Sequence, residues 1–246
     1  MKMTLTIAAI IILGLVGLAN VTGQDWRTAP RDSAKLAPVA ADHPEAVVQV
    51  YAARAISWRG WFAVHTWIAT KEKNANAYQV YHVMGWQLRR TGESIMIKED
   101  VPDRFWFGAK PGVVDTLTGA EAESAIPKIQ AATKSYAYPN AYRAWPGPNS
   151  NSFISHIIRA VPELGVELPA HAIGKDWIGK GAFLARSESG TGFQFSIYGL
   201  LGLTLGIAEG IEVNILGLTF GLDVLRPALK LPLIGRLGMR DAPYNP

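Results

Sequence analysis

At 246 residues, with 49% hydrophobic and 18% charged residues, the chain carries enough apolar material for one sizeable core and too little charge for disorder. Lys and Arg exceed Asp and Glu by only 24 to 20, and the basic residues are scattered rather than gathered in a stripe, which argues against a nucleic-acid partner. The absence of cysteine excludes disulfide scaffolds, thiol catalysis, zinc fingers and iron–sulfur sites.

The first element is an apolar run from Leu5 to Ala19 behind Lys2, with Gly17 and Ala19 in the small-x-small pattern of a signal-peptidase site. Residues 1–23 read either as a cleaved signal peptide or as a membrane anchor, the run being marginal for the roughly 17–25 apolar residues a span needs. Arg27, Arg31 and Lys35 follow the segment, yet Asp25 and Asp32 lie among them, and the expected location of the rest is the cell envelope, periplasmic or anchored to the inner membrane. The expected partners are thus the membrane and a lipid or cell-wall fragment.

Residues 24–45 hold three prolines and no period, and read as a linker. A single domain follows, over 46–240. Ala46–Ile56, Gly60–Thr70 and Ala77–Trp86 are rich in Val, Tyr and other strand formers, and the polar stretch 71–76 between the last two predicts an antiparallel hairpin. Ile95–Glu99 and Arg104–Phe107 read as short strands closing that sheet. Thr118 and Glu121 predict a capping box for a helix running to about Ser135, with Pro127 a kink or the true start. A second helix should follow the Trp145-Pro-Gly-Pro turn, because Phe153, Ile154, Ile157, Ile158 and Val161 share one helical face. From Gly192 to Asp223 glycines and strand formers surround an Ala-Glu-Gly turn at 208–210, which predicts a long hairpin. A bilayer span there is disfavoured: the apolar part is short, and Glu209, Glu212 and Asn214 follow at once. The fold class expected is α+β, an antiparallel sheet with packed helices plus a C-terminal β-hairpin.

The residues that could carry chemistry begin with His65. On its strand Trp61, Ala63, His65 and Trp67 share one face, and a hairpin symmetric about Lys73 and Asn74 puts His65 opposite His82, close enough for one ring to orient the other. An oriented imidazole is what a hydroxyl nucleophile requires. Ser150, within Asn149-Ser150-Asn151-Ser152-Phe153, would stand at a helix start where amides and the helix dipole favour negative charge. Each residue also has a plainer reading: His65 as a hydrogen-bonded core histidine, and Ser150 as a helix cap beside Asn149, Asn151 and Ser152. Trp67 and Trp145 are candidate substrate-binding aromatics. His43, His65, His82, His156 and His171 lack the spacing of a metalloprotease motif, and no cofactor or metal is expected.

A His-bearing strand, a hairpin partner with a second polar residue, and an Asn-x-Asn-x-Phe helix start resemble the circularly permuted papain-like proteins. That group includes the NlpC-type, lecithin-retinol acyltransferase-like and PPPDE-type enzymes. The resemblance implies a permuted papain-like core, with His65 in the base position, His82 as the third residue and Ser150 where those families carry cysteine. Over about Trp26 to Gly238 the chain also resembles the bacterial family called domain of unknown function 3750, on Phe62-Ala-Val-His-Thr-Trp-Ile-Ala, Arg104-Phe-Trp-Phe-Gly, Trp145-Pro-Gly-Pro-Asn-Ser-Asn-Ser-Phe and Ala172-Ile-Gly-Lys-Asp. The expectation is an uncharacterised envelope protein: a serine-nucleophile hydrolase or acyltransferase of amide or ester bonds, or a non-catalytic membrane-associated binding or scaffold module with a degenerate papain-like site.

Overall fold

The structure, a computed structural model, describes residues 27–241. The apolar run Leu5–Ala19 lies outside the described residues. Among those described, no helix is long and apolar enough to cross a membrane.

Among the described residues, two antiparallel sheets and three α-helices make an α+β fold. The first sheet contains β1 (Val47–Arg54), β2 (Val64–Lys71), β3 (Gln79–Val83), β4 (Ile95–Glu99) and β5 (Gly112–Thr118), in the order β4-β3-β2-β1-β5. Between β3 and β4 lies α1 (Gly85–Thr91); α2 (Gly119–Ser135) follows β5, and α3 (Ser150–Ala160) follows the proline-rich turn. Every residue of β2 is buried, because both faces of the sheet are covered. Val48, Val50, Val64, Ile68 and Tyr81 pack against Ile126 and Ile129 of α2 and Phe153, Ile154, Ile157 and Ile158 of α3. At about 1.5–3 kcal/mol for each large apolar side chain buried, this face is the dominant apolar contribution to stability. Val47, Tyr51, Trp67 and Val80 cover the opposite face, under Leu36, Ala37, Ala40, Trp106 and Ala109.

Several local expectations are corrected. The segment at 24–45 packs on the sheet where it is described: Asp103 Oδ2 accepts from the amides of Leu36, at 2.5 Å, and Ala37, at 3.1 Å. The strand expected from Gly60 begins only at Val64, since Ser57–Trp61 forms a 3-10 turn. Arg104–Phe107 is a turn held by isolated bridges; the edge strand is β5, which pairs with β1. Thr118 does cap α2, but its side chain makes no capping bond, and the capping box belongs to Asn149 and Ser152 of α3. Pro127 sits inside α2 without ending it. Both Pro127 and Glu123, whose carbonyl loses a donor there, are exposed, so water can take the missing place.

The largest correction concerns the C-terminal hairpin. In its place stands a seven-stranded meander: β6 (Leu184–Arg186), β7 (Gly192–Ile197), β8 (Leu201–Gly206), β9 (Gly210–Ile215), β10 (Leu218–Asp223), β11 (Ala228–Leu231) and β12 (Gly235–Gly238), each paired with the next. Its alternation is reversed. Gln194, Ser196, Thr204, Glu212, Asn214, Thr219 and Lys230 point inward and are buried, while Phe193, Phe195, Ile197, Leu201, Leu203, Leu205, Ile211, Val213, Ile215, Phe220 and Leu222 are exposed. The inward side chains dock on the segment after α3 through polar contacts. Asp176 accepts from Gln194 at 2.6 Å, from Thr219 at 3.1 Å and from Asn214; Glu212 accepts from Lys175 at 2.7 Å and from Lys230 at 3.1 Å.

Candidate functional site

A cavity of about 690 Å³ opens where β2 begins and β3 ends. His65, Trp106, Phe107, Met84, Tyr142, Asn149, Ser150 and Ile173 contribute to its walls. Gly85 matters to its shape, because a Cβ there would come 2.6 Å from Cδ1 of the Tyr142 ring. The lining is mostly apolar. Its charged side chains are Arg31, Arg59 and Arg89, with no carboxylate among the lining residues.

His65 lies flat on Trp106, ring centroids 3.8 Å apart and planes 6° from parallel, and its Nε2 is 3.3 Å from His82 Nδ1. The register that brings the two rings together is not the expected one. Ile68 pairs with Tyr81 and Thr70 with Gln79, so the ladder, continued, sets Trp67 opposite His82 and leaves His65 on the diagonal. The difference is two residues, an even number, so both imidazoles keep to one face of the sheet and still meet. Burial holds both below the usual histidine range. His65 falls well below it, with His82 as the second cause; His82 falls to about 3, with Arg104 and then Lys98 adding repulsion. Both rings are neutral at neutral pH. With Nε2 engaged, His65 Nδ1 makes no hydrogen bond among the described residues.

Ser150 is the first residue of α3. Asn149 Oδ1 accepts from the amides of Asn151, at 2.9 Å, and Ser152, at 3.1 Å, leaving the Ser150 amide with no partner among the described residues. The Ser150 hydroxyl reaches only Asn151 Oδ1, at 3.5 Å. No hydrogen bond joins it to His65. The reason lies in the parity of β2: Thr66 faces α3 and donates to Asn151 Oδ1 at 2.9 Å, whereas His65 faces Trp67 and Trp106. The His65 ring and the Ser150 hydroxyl therefore border the cavity from the two sides of one strand.

The remaining predicted residues divide between cap, core and rim. Asn149 Nδ2 donates to the carbonyls of Ala144, at 3.1 Å, and Ile173, at 3.0 Å. Gly174 makes that approach feasible, having φ +99° and no side chain; a Cβ there would come within 2.3 Å of Asn149 Nδ2. Asn151 Nδ2 ties α3 to Val64 O at 3.0 Å and Ile173 O at 2.8 Å. Ser152 turns away to Tyr136 and the cap, Trp67 is fully buried against Tyr51, and the half-exposed Trp145 donates to Leu216 O, at 2.9 Å, on the β9–β10 turn. None of these last three lines the cavity. Trp106, which reads from sequence as structural or as an aromatic able to hold a glycan or acyl group beside a site, does line it, and so do the three arginines, which carry no such signal because each lies on a different segment and only the fold gathers them.

Residues 45–177, from β1 through the segment that follows α3, match the family described as Protein of unknown function (DUF3750). The match is narrower than the 26–238 expected, and it ends before β6. No curated protein and no solved structure matches. With more than half of its length matched, including the strand that bears His65 and the capped helix that bears Ser150, the chain belongs to the DUF3750 family.

Proposed function

We propose that the cavity is a hydrolase or acyltransferase site of permuted papain-like plan, acting in the cell envelope on an ester or amide of an anionic amphiphile, with Leu5–Ala19 as the export signal or anchor. The observation that carries this reading is the opening of two groups onto one apolar cavity: His65, whose Nδ1 makes no hydrogen bond among the described residues, and Ser150 at the positive end of a capped helix. The three arginines suit an anionic head group, and the aromatic walls an acyl chain. In the reaction, a water in the cavity carries the proton of the Ser150 hydroxyl to His65 Nδ1 on the other side of β2 as the serine oxygen bonds to the acyl carbon. The resulting oxyanion accepts from the Ser150 amide. Imidazolium then returns the proton to the departing alcohol or amine, and water or a second alcohol releases the acyl group by the same route. His82 keeps the other nitrogen of His65 occupied throughout.

A second reading, a binding module for the same amphiphiles, draws on a different observation: Ser150 and His65 share no hydrogen bond, and both imidazoles are held weakly basic. Treatment of the purified protein and of Ser150→Ala with a fluorophosphonate probe separates the two. Labelling that vanishes in Ser150→Ala and falls in His65→Ala is the expected result. Equal labelling of parent and Ser150→Ala removes Ser150 as nucleophile; no labelling, together with retained binding of a fluorescent fatty acid, favours the module.

A further inference from the structure

We propose that the outward face of the β6–β12 meander docks on the surface of a bilayer containing anionic phospholipid. From β7 to β10 the outward positions are apolar throughout, and the polar partners that make this bearable all point inward. With strands about 4.8 Å apart and about 20 Å long, the four strands β7–β10 present roughly 400 Å², within the range of about 300–600 Å² for the largest patch on a monomer, which is often functional. The carboxylates that speak against lipid contact in the sequence, Glu209 and Glu212, are sealed beneath it.

Two features select a bilayer over a second copy of the chain. A protein interface surrounds its apolar centre with a polar rim. Here five of the six turns are apolar too, all but the Ser187–Thr191 turn between β6 and β7, with Tyr198, Ile207, Leu216, Val224, Leu225, Leu233 and Ile234 exposed, and a flat partner sheet would leave them wet. The charge is also complementary to anionic lipid: Glu188, Glu209, Glu212 and Asp223 are buried, whereas Lys180, Arg186 and Arg240 are exposed, and the exposed carboxylate of this stretch, Asp241, is paired with Arg226. The six-residue strands fall short of the about 9–11 residues a spanning strand needs, so the sheet rests in one leaflet.

Because the chain has no cysteine, single labels can be placed cleanly on the full-length protein. Nitroxides at Leu203→Cys and Val213→Cys on the face, and at Glu123→Cys on the exposed side of α2, are read by collision with a water-soluble nickel complex and with oxygen. Vesicles of phosphatidylcholine with phosphatidylglycerol are compared with phosphatidylcholine alone. The expected result is a loss of nickel collisions and a gain of oxygen collisions at 203 and 213 but not at 123, larger with phosphatidylglycerol and abolished in Leu203→Asp/Val213→Asp backgrounds labelled at 211. Face labels that stay as accessible as 123 in vesicle-bound protein overturn the proposal, since the N-terminal segment alone would then be holding the chain. Failure to bind vesicles overturns it, and so does protection of the face without vesicles, which would identify a second copy as the cover.

Discussion

His65 Nε2 and His82 Nδ1 stand 3.3 Å apart with both rings stacked against Trp106, so one neutral imidazole donates and the other accepts. The tautomers of the two rings are therefore coupled, and a proton placed on one changes what the other must present to the cavity.

This pairing sets a pH dependence. In the unfolded chain histidine binds a proton near pH 6.5, whereas folded His82 resists until about 3 and His171 until about 4, both chiefly through burial. Between those values the unfolded chain holds more protons, so stability is full above about 6.5 and is lost as pH falls, by about 1.4 kcal/mol per pH unit for each such histidine. Asp115 and Glu167 oppose this: burial raises both carboxyls, that of Asp115 to about 6, and each favours the folded state as pH falls, while the lowered His65 and His156 add to the loss. Urea unfolding should give lower stability at pH 5 than at pH 7, and His82→Gln should flatten the slope by about one proton. An unchanged slope would show that His82 titrates normally.

Asn151 joins α3 to the first sheet more firmly than its place in a polar turn implies. Asn151→Ala leaves the carbonyl of Val64 without its donor and the Thr66 hydroxyl without an acceptor, and takes from the Ile173 carbonyl one of its two donors, Asn149 Nδ2 remaining. At about 1–3 kcal/mol for each stranded group, a loss of roughly 3 kcal/mol or more is expected in urea titrations. A loss below about 1 kcal/mol would mean that water replaces the amide.

Glu212 and Glu167 both contact Lys230 in the buried space under the meander, but their carboxyls are pushed in opposite directions. Burial and the neighbouring Glu212 push Glu167 well above the usual carboxylate range, while Lys175 and Lys230 hold Glu212 below it. Glu167→Gln should therefore cost about 1 kcal/mol or less. Glu212→Gln leaves two buried ammonium groups short of an anion and should cost about 3–5 kcal/mol, with faster amide exchange in β9 and β11. Equal costs would refute the division of charge between them.

Gly174→Ala tests the tie between the cap and the cavity. The new methyl meets the Asn149 amide and forces an alanine to φ +99°, so about 1–3 kcal/mol of stability should be lost. Fluorophosphonate labelling of Ser150 should fall with it. Labelling that stays at the parental rate would detach the cap from the reactivity of the serine.

How much of this was legible depends on how local the signal is. The periodicity of Phe153, Ile154, Ile157 and Ile158 marks α3 without help, and the strand formers mark β2 and β3. β5 escapes because Gly112–Thr118 has no partner nearby in sequence; its ladder is with β1, sixty or more residues earlier. The meander reads as a hairpin because its turns, at Tyr198 and Leu216, lack the polar residues that usually announce a turn. His65, His82 and Ser150 could be picked out by residue type and spacing. Arg31, Arg59 and Arg89 could not, since nothing marks an arginine as facing a cavity until the chain has folded around it.

The charges of the C-terminal sheet fall into two populations that ionic strength will tell apart. Lys180, Arg186 and Arg240 stand in water, where added salt dims their field over about 10 Å at 0.1 M. Lys175, Glu212 and Lys230 are walled off from mobile ions. Raising salt should thus quiet what the sheet presents to its surroundings while leaving its seat on the rest of the molecule as tight as before.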